Sequence, residues 1–321
     1  MVAGNANYLT TLLTTTLEIY LSKMPKDTIF NSIPLLDQLQ KRGKKTQKGG
    51  TIWLEPIMYE GNETGESYSG WDRQDISPQE GFTNAQFGPK YYRWALAIDN
   101  QQLSENSGDA QVIDILSIKW RQLEKSARNL INADLYLAGT ANGGKTLTGL
   151  ALAVDSSGTY GNIVRSANSW WSAVETPVAG TLQVTGSTGL RRFWNDLSNG
   201  QGSENPDMFL TTSAVHEGYE ALMDPRMQFT NRGAQDVGYP GSGGLVFKEK
   251  PIYWDDACQS GVLYGLNLDY LALRVVPGDD FSHGAFKEPI DQRGKVAPVY
   301  WSGNLVASNC RFLGKLTGLT N

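Results

Sequence analysis

Histidine and cysteine are nearly missing from this sequence. Its 321 residues hold two cysteines, Cys258 and Cys310, and two histidines, His216 and His283. Two thiols cannot build a disulfide framework, and no spacing matches a metal-ligand motif. A histidine-rich metal site is therefore not expected, and a nucleophilic triad would have only these two bases to draw on. Long apolar runs are absent too. No segment approaches the roughly 20 apolar residues that span a bilayer, so no membrane partner is expected. The opening stretch, MVAGNANYLTTLLTTTLEIY, lacks a basic region followed by a long apolar core, which argues against a secretory signal. Positive charge is in deficit: 28 Lys and Arg stand against 33 Asp and Glu, for a net charge of -5. A dedicated nucleic-acid binder usually shows the opposite balance. Internal repeats and low-complexity tracts are missing as well.

What is present is an ordinary folding composition, 40% hydrophobic and 19% charged, enough for one large or two medium domains. Residues 8–24 mix apolar side chains with many threonines and predict a weak helix that depends on packing. Pro34 to Gln40 (PLLDQLQ) predicts a short amphipathic helical turn. A local basic run follows, Lys41, Arg42, Lys44, Lys45 and Lys48. Beyond Gly49-Gly50, Thr51 to Tyr59 (TIWLEPIMY) is rich in β-formers, with Pro56 marking an edge strand. A polar, glycine-rich excursion runs from Glu60 to Gly81, and a second β-like run spans Tyr91 to Ile98. The two runs around so long a tip predict an extended hairpin or flap. Its apolar side chains, Ile52, Trp53, Leu54, Tyr92, Trp94 and Leu96, are candidates for a surface that needs a partner, since an isolated hairpin cannot bury itself.

From Asp109 to about Ala138 there is no Pro or Gly. Val112, Leu116, Trp120, Leu123, Ala127, Leu130 and Leu137 recur at helical steps, with Gly139 as the stop. This predicts an unusually long helix. Further on, Gly189 to Leu197 and Ser213 to Met223 suit helices, and Met208 to Val215 suits a buried strand. From Leu245 the pattern is strand-like to the end. The whole reads as α+β with one dominant helix and antiparallel strands.

Four features invite chemistry. Gly139 to Thr146 (GTANGGKT) fits the phosphate-loop pattern, in which Lys145 would reach phosphates and Thr146 would hold magnesium, with Asp255 as a loose second carboxylate. Its context is wrong, because it follows a helix rather than a strand and Gly149 breaks what comes after; a turn is expected. Asp255-Asp256 and Asp279-Asp280 offer too few oxygens for a cation site. Trp170-Trp171 could stack on a sugar in a glycan-binding decoration protein, although aromatics of this size are more often core or interface anchors. The basic run 41–48 suits either phosphate on DNA or an acidic neighbour, and both readings stay open. No cofactor, metal or catalytic residue is expected.

The order of elements resembles the major capsid proteins of tailed phages, the Hong Kong 97-type shell fold. The stretches that carry it are Lys26 to Leu39, TIWLEPIMYEGN, Thr83 to Ile98, the helix end DLYLAG with Gly149-Leu150, Tyr160 to Ser166 with Trp170-Trp171, and Lys250 to Asp256. The resemblance implies an N-terminal arm (1–45), an extended flap (46–99), a spine helix of a peripheral domain (100–140), a mainly axial domain (141–280) and returning peripheral strands (281–321). It implies a non-enzymatic shell subunit that assembles into hexamers and pentamers around double-stranded DNA. Portal, scaffolding and decoration proteins would be its partners, in a virion built in host cytoplasm. No fused scaffold segment is expected, and no residues are assigned to self-crosslinking.

Overall fold

The computed structural model describes residues 33–100, 109–198, 204–227, 245–290 and 293–320. The weak helix expected over 8–24 lies outside them, as do the side chains of Val112 and Leu116.

The first described element is helix α1 (Pro34–Lys41). Proline at its first turn presets φ and forfeits a hydrogen bond that would be unmade there anyway. Leu35, Leu36 and Leu39 share one face and are fully buried in the main core. This end of the expected arm is therefore part of the body. Strand β1 (Lys45–Gln47) follows and lies parallel to a later strand, with Lys45 opposite Leu273.

Strands β2 (Trp53–Met58) and β3 (Phe82–Phe87) form a two-stranded antiparallel ribbon. Strand β4 (Lys90–Asp99) does not join it. It pairs instead along ten residues with the C-terminal strand β14 (Gly294–Ala307). The expected pairing of Thr51–Tyr59 with Tyr91–Ile98 is thus corrected. The chain turns back at Phe82, and Gly88-Pro89 separates the ribbon from β4, so that two adjacent runs of β-formers serve two different sheets.

Helix α2 (Asp109–Leu135) has 27 residues and is about 40 Å long. Its buried stripe runs through Trp120, Leu123, Ala127, Ile131 and Leu135. Ile131, not Leu130, continues the series: four residues from Ala127 returns to the buried face, whereas Leu130 falls to one side and is exposed. The helix ends before Leu137, which lies outside the stripe.

Two mixed sheets complete the body. The five-stranded sheet has the order β1-β12-β14-β13, with β4 also on β14; β12 is Leu271–Val275 and β13 is Ser282–His283. The six-stranded sheet has the order β7-β15-β11-β8-β10-β9. Its strands are β7 (Val174–Thr181), β8 (Met208–Thr211), β9 (Leu245–Phe247), β10 (Lys250–Trp254), β11 (Leu263–Leu266) and β15 (Gly314–Thr320). A small ladder, β5 (Thr159–Tyr160) with β6 (Ile163–Val164), stands apart. Three pairings are parallel, β1 with β12, β10 with β8 and β15 with β7, where antiparallel strands were expected throughout.

The sheets do not follow the sequence boundary at 280. Strand β12 lies in the five-stranded sheet although it precedes that boundary, and β15 lies inside the six-stranded sheet although it follows. One core joins them, with Leu210, Tyr264 and Leu266 from one sheet meeting Leu273, Trp301 and Leu305 from the other. Helix α3 (Leu190–Leu197) and helix α4 (Ser213–Met227) cover the far face of the six-stranded sheet, through Phe193, Trp194, Val215 and Tyr219. Helix α2 packs Trp120 and Leu123 on Leu96, Ile98, Ala297 and Val299 of β4 and β14.

Candidate assembly surface

The β2–β3 ribbon alternates strictly. Trp53, Glu55 and Ile57 face inward opposite Phe87, Ala85 and Thr83. Leu54, Pro56 and Met58 face outward opposite Gln86, Asn84 and Phe82. The inner face is covered by the chain's own body. The outer face is not: Met58 is 69% exposed and its cross-strand partner Phe82 77%. The ladder extends one step further, with the Tyr59 N–H donating to the Gly81 carbonyl. From Glu60 to Glu80 every residue except Thr64 is then exposed, including Tyr68, Ile76 and Trp71 at 101%. Three large apolar side chains on one exposed excursion, beside an apolar strand face, mark an interaction surface.

The root of this flap is held firmly. Glu55, nearly buried on β2, receives a two-pronged contact from the Arg274 guanidinium of β12, at 3.2 and 3.1 Å, and a bond from Lys48 at 3.0 Å. Tyr59 stacks on Trp170 with ring centroids 4.9 Å apart, and Phe87 meets Tyr160 edge-on at 5.0 Å. The Gln86 N–H donates to the Gly161 carbonyl at 2.8 Å. Gly161 has φ +59°, and a β-carbon there would collide with Ala85 and Phe87, so only glycine lets the flap sit this close.

Beneath that seat, Arg165 is fully buried. Its guanidinium donates to the carbonyls of Leu152, Ala153, Ser157 and Trp171 and approaches the Cys310 sulfur at 3.7 Å. It also lies 5.3 Å over the Tyr160 ring. The Trp171 indole donates to the Tyr160 carbonyl at 3.0 Å. Arg165 thus organises the 152–171 segment on which the flap rests.

The six predicted flap residues separate into two groups. Ile52 and Leu54 are exposed on the ribbon. Trp53, Tyr92 and Leu96 are buried within their own chain, and Trp94 is half-buried against Phe281. The last three belong to β4, whose apolar face packs under α2. The side chains that sequence reasoning missed are Met58, Phe82, Tyr68, Trp71 and Ile76. The available signal was the alternation in FTNAQF, which pairs more closely across the polar excursion than YYRWALAI does.

The basic run is neutralised at home. Lys41 pairs with Asp37 at 2.7 Å, Lys44 with Asp269 at 3.1 Å, Lys45 with Asp280 at 2.8 Å and Lys48 with Glu55. Arg42 grips Asp207 through both nitrogens, at 2.8 and 2.9 Å. The acidic neighbour that the sequence left open is this chain's own surface.

The GTANGGKT stretch is a turn directly after α2, with Gly139, Asn142 and Gly143 all at positive φ. The backbone N–H groups that follow are engaged within the protein, Leu147 by the Tyr92 hydroxyl at 2.7 Å and Thr148 by Asn304 at 2.9 Å. Lys90 bonds the Gly144 carbonyl, and Lys145 projects outward. The Tyr92 hydroxyl donates in turn to Asp134 at 2.6 Å; burial, with that carboxylate's help, pushes the phenol pKa well up. A β-carbon at Gly149 would strike the carbonyl oxygens of Asp134, Leu135 and Leu137, which explains the glycine that ends the turn. Asp255 accepts from Asn132, Tyr136 and the Ala257 N–H, Asp279 accepts from Ser302, and Asp280 holds Lys45. Among the described residues no three acidic, histidine or cysteine side chains gather as metal ligands.

No family model and no curated relative matches the sequence. Solved structures do match. The capsid subunit of cyanophage A-1(L) superposes with a TM-score of 0.65 at 14% identity, covering 87% of this chain and 91% of its own. The capsid subunit of a native GTA particle gives 0.57 at 9% identity, over 88% and 90%. An encapsulin from Synechococcus elongatus gives 0.52 at 12% identity, over 85% and 84%.

Proposed function

We propose, from a fold held in common with phage capsid subunits over nearly the full length of both chains, that this protein is the major capsid protein of a tailed phage. The carrying observation joins that fold to the flap. A single copy covers one ribbon face and leaves Leu54, Met58 and Phe82 bare, with Trp71 beyond them. A neighbouring copy supplies the cover. Such contacts are heterologous, the same patch meeting a different patch on the next subunit, and they close into rings of five and six. Each contact can be modest, because many act together in a shell.

In this reading the chain has no catalytic work. Lys145 lies on a turn whose backbone donors serve the fold, and Trp171 is buried where a sugar cannot stack. The finer proposal is a virion head assembled in host cytoplasm around DNA, with portal, scaffolding or decoration proteins as partners. Negative-stain imaging of purified full-length protein tests the shell; a chain that stays monomeric at high concentration rejects it. Nuclease-protected double-stranded DNA inside particles from phage-producing cells tests the cargo. Lys145→Ala is expected to leave assembly unchanged.

A further inference from the structure

Among the described residues, Asn142 is the only asparagine followed by glycine. It lies in the turn after α2, where Asn142, Gly143 and Lys145 are all exposed. Other asparagines are tied down through their side chains. Asn132 donates to Asp255, Asn168 to the Val164 carbonyl and Asn304 to the Gly88 carbonyl, while Asn62 accepts from Thr64. Each of these four also precedes a residue with a side chain, which crowds the backbone nitrogen behind the amide. The Asn142 amide makes no hydrogen bond within the described residues.

The backbone around it is strained and unhindered. Asn142 has φ 50° and ψ 41°, a left-handed conformation that costs energy for any residue with a β-carbon. Gly143 and Gly144 follow at φ 67° and 78°. A β-carbon at either glycine would meet nothing within 4 Å, so these peptides can swing without striking the body. The Gly144 N–H donates to the Thr140 carbonyl at 3.2 Å, and those of Leu147 and Thr148 are engaged by Tyr92 and Asn304. Among the described residues the Gly143 N–H donates to no carbonyl. A free backbone nitrogen thus follows a free side-chain amide.

We propose that Asn142 is a site of spontaneous deamidation in the folded protein, its side-chain amide being displaced by the Gly143 nitrogen. That nitrogen gives up its proton and bonds to Cγ of Asn142. The Cγ–Nδ2 bond breaks, and Nδ2 leaves with the proton as ammonia, closing a succinimide ring. Water then opens the ring. Attack at Cγ gives aspartate, and attack at the main-chain carbonyl carbon gives isoaspartate; no electron changes hands and water is the only co-reactant. Closing the ring takes Asn142 out of its strained conformation. The chain's net charge goes from -5 to -6. The new carboxylate stands three residues from Lys145, which has no carboxylate partner within the described residues, so the turn passes from cationic to neutral. Isoaspartate also inserts a methylene into the main chain beside Gly144, whose N–H and carbonyl are held by Thr140 and Lys90. This goes beyond the shell reading and does not depend on it.

The test holds the full-length protein at pH 8 in water enriched in heavy oxygen, native and in urea. Mass spectrometry follows the Asn142 peptide separately from that of Asn199, because Asn199-Gly200 is the sequence's other pair of this kind. The expected result at Asn142 is loss of ammonia with uptake of heavy oxygen, a mixture of aspartyl and isoaspartyl products, and a native rate no slower than the rate in urea. An Asn142 that deamidates in urea but stays intact in the native protein would overturn the proposal, since the turn would then protect it. Aspartate without isoaspartate would also overturn it, because that outcome marks direct hydrolysis without a ring. Isoelectric focusing gives an independent reading in Asn142→Gly, which tolerates the positive φ and removes the amide. The acidic band that grows in the parent chain is expected to be lost from this variant; the same band growing at the same rate contradicts the assignment.

Discussion

Arg165 is a buried cation that four backbone carbonyls satisfy, with no carboxylate in its hydrogen-bond set. Planarity and five forked donors make this possible, and lysine, with one point charge, cannot reproduce it. Arg165→Met leaves those acceptors unmade, each costing about 1–3 kcal/mol when buried. A loss of at least about 3 kcal/mol is expected in urea unfolding, with Arg165→Lys recovering only part of it. The thiols permit a second prediction. Burial pushes Cys258 up to about 12 and Cys310 up to about 11, from an ordinary 9.0. Folded protein at pH 8 should resist a thiol reagent, and unfolded protein should react twice. Because the folded state keeps these protons longer than the unfolded one, the associated stability is complete below about pH 9 and is lost as pH rises toward 12. Tyr136, Tyr160 and Tyr264, also raised chiefly by burial, act in the same direction. Urea midpoints at pH 8 and pH 11 check this, and a higher midpoint at pH 11 would contradict it. Side chains of this kind were only half legible. The basic run could be seen in the sequence, but its partners Asp207, Asp269 and Asp280 lie more than 160 residues away and no local pattern announces them.

The flap shows what sequence periodicity can and cannot fix. Alternation identified two strands and a polar tip. It did not choose the partner, because β3 and β4 are both apolar at alternate positions and only the fold shows that one pairs with β2 and the other with β14. The same limit explains α2: its length was legible from the missing breakers, while the stripe was off at Leu130 because an occasional leucine also falls outside the buried arc. The flap root makes its own prediction. Among the described residues Glu55 is the only carboxylate paired with Arg274, and Glu55→Gln removes the charge while keeping the shape. A partly buried pair of this type is expected to contribute about 1–3 kcal/mol, between the surface and buried extremes. Limited proteolysis should then cut the 60–80 excursion or its root faster than in the parent chain; unchanged cleavage would show that stacking of Tyr59 on Trp170 suffices.

The two sheets are topologically interlocked. Residues 141–280 supply most of the six-stranded sheet, yet its second strand, β15, comes from the C-terminus and lies between β7 and β11. A fragment 141–280 therefore lacks the strand that joins β7 to the rest, and it is expected to remain without a cooperative thermal transition, measured by circular dichroism. Supplying the C-terminal segment in the same polypeptide should restore one. The order of elements along the chain was legible, and with it the fold class. The return of the last strand was not, since GKLTGLT carries nothing that distinguishes one sheet from the other.

Strand β14 is 14 residues long and bonded to β4 over ten consecutive pairs. A pull directed along this ribbon loads all those bonds together in shear, while a pull across it peels them singly. The molecule is therefore stiff in one direction and compliant in the other, and any wall built from it would inherit a grain.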